Sequence, residues 1–224
     1  MNGAELTGQV SSHIAEVREP PCRLHVDAIT AFQRMRGAAG AAGMDLAAIS
    51  SFRDFARQLA IWNGKFNGER PINDADGVPV AAASLTPDQR VDAILLWSAL
   101  PGASRHHWGT DVDLIDRNAT LDGYRAQLVP EEFAAGGPFA RLAHWLEANA
   151  GHYGFFRPYK GVRSGVKAEP WHYSFAPIAE PARKRLGIDV LRTALNAASL
   201  AGKKQVMARI EELHHRYVAR IDWP

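Results

Sequence analysis

Cysteine is almost absent from this 224-residue sequence. Cys22 stands alone, so no disulfide can form within the chain. A chain of this length buries a core without such cross-links, so a small disulfide scaffold is excluded. Long apolar runs are also missing: no stretch approaches the roughly 20 residues that cross a bilayer. Met1 to Gln9 lacks a basic segment leading into an apolar one. No secretory signal is read there, which sets the expectation of a cytoplasmic protein or of export by an unrecognised route. Neither sign of charge dominates, since 26 Lys and Arg face 24 Asp and Glu for a net +2. The densest cationic cluster is Arg183-Lys184-Arg185, which reads as a solvated helix face and gives no footprint for nucleic acid. Internal repeats and low-complexity segments are lacking. What remains is ordinary globular composition, 46% hydrophobic and 22% charged.

Apolar spacing and turn residues outline the elements. Leu24, Val26, Ile29, Phe32 and Met35 recur near helical spacing and predict a helix over 23–43, ended by Gly40 and Gly43. A strand is expected at Leu46–Ser50. Ser51 and Asp54 then read as a capping box opening a helix with Phe55, Leu59, Trp62 and Phe66 on one side. Residues 67–85 are rich in Gly, Pro, Asn and Asp and predict a long surface loop. Thr86-Pro87-Asp88-Gln89 is a second helix start, for a helix reaching about Leu100 before Pro101-Gly102. Strands are predicted at Asp111–Ile115, 154–159 and 169–175, with a hairpin near Asp122-Gly123 and a helix over 138–149 stopped by Gly151. In the tail, Val206, Ile210, Leu213, Tyr217 and Ile221 form one apolar stripe, so 187–222 reads as a helical pair against the main body.

Two segments concentrate chemistry. The first runs Ser104-Arg105-His106-His107-Trp108-Gly109-Thr110-Asp111-Val112-Asp113. It begins after a Pro-Gly turn and ends in a strand, so a His on the turn and an Asp in the strand can converge. Gly109 removes a side chain where the backbone bends between them. Alternation puts Asp111 and Asp113 on one strand face and Val112 and Leu114 on the other. The second segment is Glu169-Pro170-Trp171-His172-Tyr173. A catalytic zinc site needs three protein ligands and one open position. His106, Asp113 and His172 would supply two imidazoles and a carboxylate, with Glu169 free to take a proton. No His-Glu-x-x-His helix occurs, which excludes that common type of zinc hydrolase. Most of the nine histidines, among them His107, His144, His152, His214 and His215, are read as structural or surface residues.

These segments resemble the paired signatures of the zinc D-alanyl-D-alanine carboxypeptidase and dipeptidase family, which includes vancomycin-resistance carboxypeptidases and some phage endolysins. Ser104, His106, Gly109 and Asp113 match Ser-x-His-x-x-Gly-x-x-x-Asp, while Glu169, Trp171 and His172 match Glu-x-Trp-His. Ser50, Arg53 and Gln58 match an upstream Ser-x-x-Arg with a Gln five residues on. The match spans roughly 23–180. Asp111 departs from it, standing where a small residue is common; the 67–85 loop and the tail lie outside the shared core.

The resemblance implies an α+β fold of the Hedgehog/D,D-peptidase kind, a small, mainly antiparallel sheet with helices packed mostly on one face. It divides the chain into an N-terminal segment 1–22, a zinc peptidase domain 23–180 and a helical extension 181–224. It implies one zinc ion on His106, Asp113 and His172, with Glu169 as catalytic base. Arg53 is expected to bind a substrate carboxylate or to stabilise an oxyanion, with Gln58 and Ser104 as further substrate-binding candidates. Asp111 is either a support for a ligand histidine or a salt-bridge residue, and Trp108 and Trp171 are expected to wall the cleft. The implied substrate is a peptidoglycan stem peptide cut at its D-amino-acid end. A D,D-dipeptidase or an L-alanyl-D-glutamate-type endopeptidase would use the same site. A non-catalytic zinc-containing cell-wall-binding module is the competing class, and a retained Glu169 argues against it. Oligomeric state is not legible.

Overall fold

The computed structural model describes residues 1–223. The chain opens with a short helix α1 (Gly3–Leu6) and a hairpin of β1 (Ile14–Val17) and β2 (Cys22–His25). Then come α2 (Ile29–Ala41), β3 (Leu46–Ser50), α3 (Phe55–Phe66), the two-residue strands β4 (Ile72–Asn73) and β5 (Pro79–Val80), and α4 (Pro87–Leu95). The second half holds β6 (Asp111–Asp116), α5 (Ala140–Asn149), β7 (Phe155–Phe156) and β8 (His172–Phe175). It closes with α6 (Ala176–Arg185), α7 (Ile188–Ala197), α8 (Lys203–Ala208) and α9 (Ile210–His214). The result is the α+β architecture expected from the sequence.

The main sheet has the order β3-β6-β8-β7, with every neighbouring pair antiparallel. All six residues of β6 are buried, as befits a central strand. Its alternation is as expected: Val112 and Leu114 enter an apolar cluster with α2, α5 and Tyr173, while Asp111 and Asp113 face the other way. A second cluster joins Leu6, Trp62 and Trp108 to α4 and to the helices after residue 180. The helices thus divide between two clusters; they do not crowd one face of the sheet.

Several local readings change. Leu24 belongs to β2, paired with Ala15, and the helix starts only at Ile29. Apolar residues spaced for a helix served a hairpin and then a short 3₁₀ turn at Val26–Ala28. Asp54, not Ser51, caps α3, its side chain accepting from Arg57 N. Thr86 and Gln89 do form a reciprocal capping box, although α4 ends at Leu95 rather than near Leu100. Asp122-Gly123 closes a turn without a hairpin, and the helix of 140–149 continues as a 3₁₀ turn to a left-handed Gly154. The tail stripe is buried throughout, from Val206 to Ile221, but α8 and α9 break at Arg209, and the tail holds more than two helices.

Candidate active site

Strand register assembles the core of the site. Asp113 on β6 lies opposite Ser50 on β3 and opposite His172 on β8. The β3 register shifts between Ala48 and Ser50, so a bulge brings the segment that leads to Arg53 alongside Asp113. His106 comes from a buried 3₁₀ turn, Arg105–Trp108, that ends at Gly109 in the left-handed region with φ 66°. A Cβ at Gly109 would lie 2.6 Å from His25 N and would collide with the Ile14 side chain, so this position requires glycine. The ligand atoms of His106, Asp113 and His172 all lie within 4.8 Å of one another.

The two imidazoles present different nitrogens. His106 Nδ1 is 3.0 Å from Ser51 O, so that nitrogen carries the proton and Nε2 turns toward Asp113 Oδ2 at 3.5 Å. His172 is reversed: Nε2 meets Asp111 Oδ1 at 2.9 Å, and Nδ1 faces Asp113 Oδ1 at 3.4 Å and Glu169 Oε2 at 3.1 Å. Asp113 Oδ1 is buried without a hydrogen-bond partner. Burial and the neighbouring Glu169 raise its carboxyl to about 6 against the pull of His172. An orphaned carboxylate oxygen beside two imidazole nitrogens is the donor set that zinc takes once the imidazoles are neutral, and the residues fit the ion. Burial and Arg53 hold His106 well below the usual histidine value, which keeps it neutral, as a metal ligand must be. Glu169 sits beside the cluster at 8% exposure.

These side chains line one cavity of about 750 Å³. Arg53 projects into it, its guanidinium donating to Gln58 Oε1 at 2.8 Å and Ser50 Oγ at 3.1 Å. Gln58 is fully buried, gives its amide to Ala99 O at 2.7 Å, and does not reach the cavity. It braces Arg53 from behind and lines no part of the cavity, so it is placed to hold Arg53 and not to meet a substrate directly. Ser104 does line the cavity, as does Trp171. Trp108 does not: it is buried in the core, with Nε1 donating to Leu6 O at 3.0 Å. The 67–85 segment, read as a plain loop, carries the β4–β5 hairpin, and residues 75–79 wall the cleft. A further lip is 127–131, where Leu128 holds φ 55° and the Glu132 carboxylate accepts from Gln127 N and Val129 N.

The model of the family described as "VanY: D-alanyl-D-alanine carboxypeptidase" matches residues 21–178. The chain belongs to the VanY family. An uncharacterized protein of Haemophilus influenzae is 34% identical over 121 residues, 53% of this chain and 92% of that protein. A D-alanyl-D-alanine carboxypeptidase of Enterococcus faecalis is 36% identical over 85 residues, 37% of this chain and 26% of that one. Among solved structures, VanYB in complex with D-alanine-D-alanine aligns with a TM-score of 0.53 at 23% identity, covering 89% of this chain and 90% of that chain. A vancomycin-resistance D,D-pentapeptidase VanY, a glutamate-to-alanine mutant in complex with Zn(II), gives 0.52 at 23%, covering 88% and 91%.

The sequence reading missed four cleft residues of this VanY chain. Lys65 on α3 enters the cavity with its ammonium on Ser98 Oγ at 2.7 Å. Tyr159 packs edge-on against His172 with ring centroids 5.0 Å apart. Tyr217 and Val218, from the tail, also line the wall. A lysine set between Trp62 and Phe66 on the apolar side of the helix was the only available signal, and the tail's role had none. The tail is tied to the cleft by Asp222, whose carboxylate accepts from Lys160 N at 2.7 Å and Arg163 N at 2.9 Å.

Proposed function

We propose that this chain is a zinc-dependent carboxypeptidase that hydrolyses the terminal D-amino acid of peptidoglycan stem peptides. The observation that carries this is the convergence of His106, Asp113 and His172 with a fourth side chain, the acid Glu169, at the same cavity. When bound there, zinc supplies Lewis acidity toward a nucleophilic water and the scissile carbonyl. Glu169 takes the proton of the attacking water and delivers it to the leaving amine, worth typically about 10²–10⁴-fold. Arg53 offers a planar fork to a carboxylate and is held in place by Ser50 and Gln58. A free C-terminus seated on Arg53 would set its own peptide bond against the cluster.

Cavity size supports a carboxypeptidase over a dipeptidase. The space runs from the candidate metal ligands to the β4–β5 hairpin and the 127–131 lip, leaving room for more of a stem peptide than a free dipeptide would occupy. VanYB is a complex with D-alanine-D-alanine and the Enterococcus faecalis relative is a D-alanyl-D-alanine carboxypeptidase, which supports a terminal D-alanine as the residue released. Mass spectrometry of products from the zinc-loaded protein tests the reading. A pentapeptide stem ending in D-Ala-D-Ala should yield free D-alanine and a tetrapeptide, faster than free D-Ala-D-Ala is cut. Preferential cleavage of the dipeptide, or of an internal stem bond, would assign one of the sister activities instead.

A further inference from the structure

Asp111 lies outside the metal ligands, at a position where the family commonly has a small residue, yet it is the most heavily hydrogen-bonded side chain at the site. It is fully buried. Its Oδ1 accepts from Arg105 Nε at 2.8 Å and His172 Nε2 at 2.9 Å. Its Oδ2 accepts from Thr110 Oγ1 at 2.5 Å and Ser174 Oγ at 3.0 Å. A carboxylate offers about four acceptor sites, so all are filled and none is left for a metal. Arg105 also donates through Nη2 to Ser174 Oγ at 2.5 Å, closing a ring. The ring ties together three segments: the turn that carries His106, the strand that carries Asp113, and β8, which carries His172.

We infer that Asp111, held by Arg105, Thr110 and Ser174, is a positioning residue that fixes His172 in the Nε2–H tautomer and aims its Nδ1 at the zinc. This rests on the zinc reading above. The physical reason is that an imidazole whose far N–H is bound to a carboxylate has its orientation and tautomer set, and its ligating nitrogen is made more basic. A competing role, counter-ion to the buried Arg105 alone, would leave His172 indifferent to Asp111.

The two are separated by removing the ion pair as a unit, since a lone Asp111→Asn would strand a buried guanidinium and endanger folding. Zinc affinity of the full chain is measured by chelator competition for the parent, Arg105→Met, and Arg105→Met/Asp111→Asn. The double variant should bind zinc about 10- to 100-fold more weakly than the parent. Arg105→Met alone should lose less, because Thr110, Ser174 and His172 still hold the carboxylate. Parental affinity in a folded double variant would overturn the inference. A second measurement does not depend on any variant folding: long-range ¹H–¹⁵N spectra of the zinc-loaded parent should show His172 protonated on Nε2. Protonation on Nδ1 would overturn the inference outright. A parent that takes up no zinc would refute the zinc reading itself, a result distinct from either.

Discussion

His107 adjoins the ligand His106 but does a different job, and it makes stability depend on pH. It is fully buried, with Nδ1 2.6 Å from Arg53 O and Nε2 accepting from Gly102 N at 3.1 Å. The neutral ring thus donates to the segment that carries Arg53 and accepts from the turn before Ser104. Protonation would cost the Gly102 bond and bury a charge. Burial accordingly pushes the His107 imidazole down to about 4 from the ordinary 6.5. The unfolded chain takes up a proton below pH 6.5 and the folded chain does not until about pH 4. Stability from this residue is therefore full above pH 6.5 and is lost as pH falls from there through 4. The loss is about 3 kcal/mol at 1.36 kcal/mol per pH unit. Urea unfolding of metal-free parent and His107→Gln, compared at several values between pH 7.5 and 4, isolates it. The variant should be less stable at pH 7.5 and should fall less steeply on acidification. Burial lowers His13 and His25 too, so a residual slope is expected. Equal slopes in the two proteins would refute the reasoning.

Arg53→Ala should cut kcat/KM by about 10- to 100-fold on peptides with a free C-terminal carboxylate, in line with losing a charged hydrogen-bond pair, and much less on amidated peptides. Equal losses on both would reject carboxylate recognition. Gly109→Ala should destabilise the fold by at least about 2 kcal/mol, because it forces a left-handed alanine against the β2 backbone, and should weaken zinc binding through the His106 turn. Unchanged denaturation midpoints would contradict the packing described. Cys22 is buried and its thiol is pushed up to about 11 by burial, so a thiol reagent at pH 7.5 should label it only as the protein unfolds. Labelling of native protein as fast as in urea would count against that environment.

The parts of the site visible in the sequence are those set by short-range pattern. Alternation along Asp111–Asp116 told which side chains share a face, and the bend at Gly109 was implied by its position between His106 and Asp113. What escaped depends on partners far along the chain. Asp111 could not be assigned because its acceptors are filled by Arg105 and by Ser174, a residue 63 positions away on β8. Gln58 kept its motif spacing but turned inward, since Ala99 O needed a donor. Leu24 had helical spacing with Phe32 and Met35 yet went to a strand, because pairing with Ala15 buries it equally well. The tail's apolar stripe was legible, but its reach into the cleft at Tyr217 was not, as that depends on packing against α3 and α4.

In the proposed mechanism Glu169 acts on protons and leaves the metal to His106, Asp113 and His172. Zinc stoichiometry and stem-peptide turnover of Glu169→Ala, measured on the same sample, address this together. The variant should retain one zinc per chain and lose nearly all turnover. Loss of zinc along with activity would make Glu169 a ligand, and full turnover without it would remove the catalytic base from the mechanism.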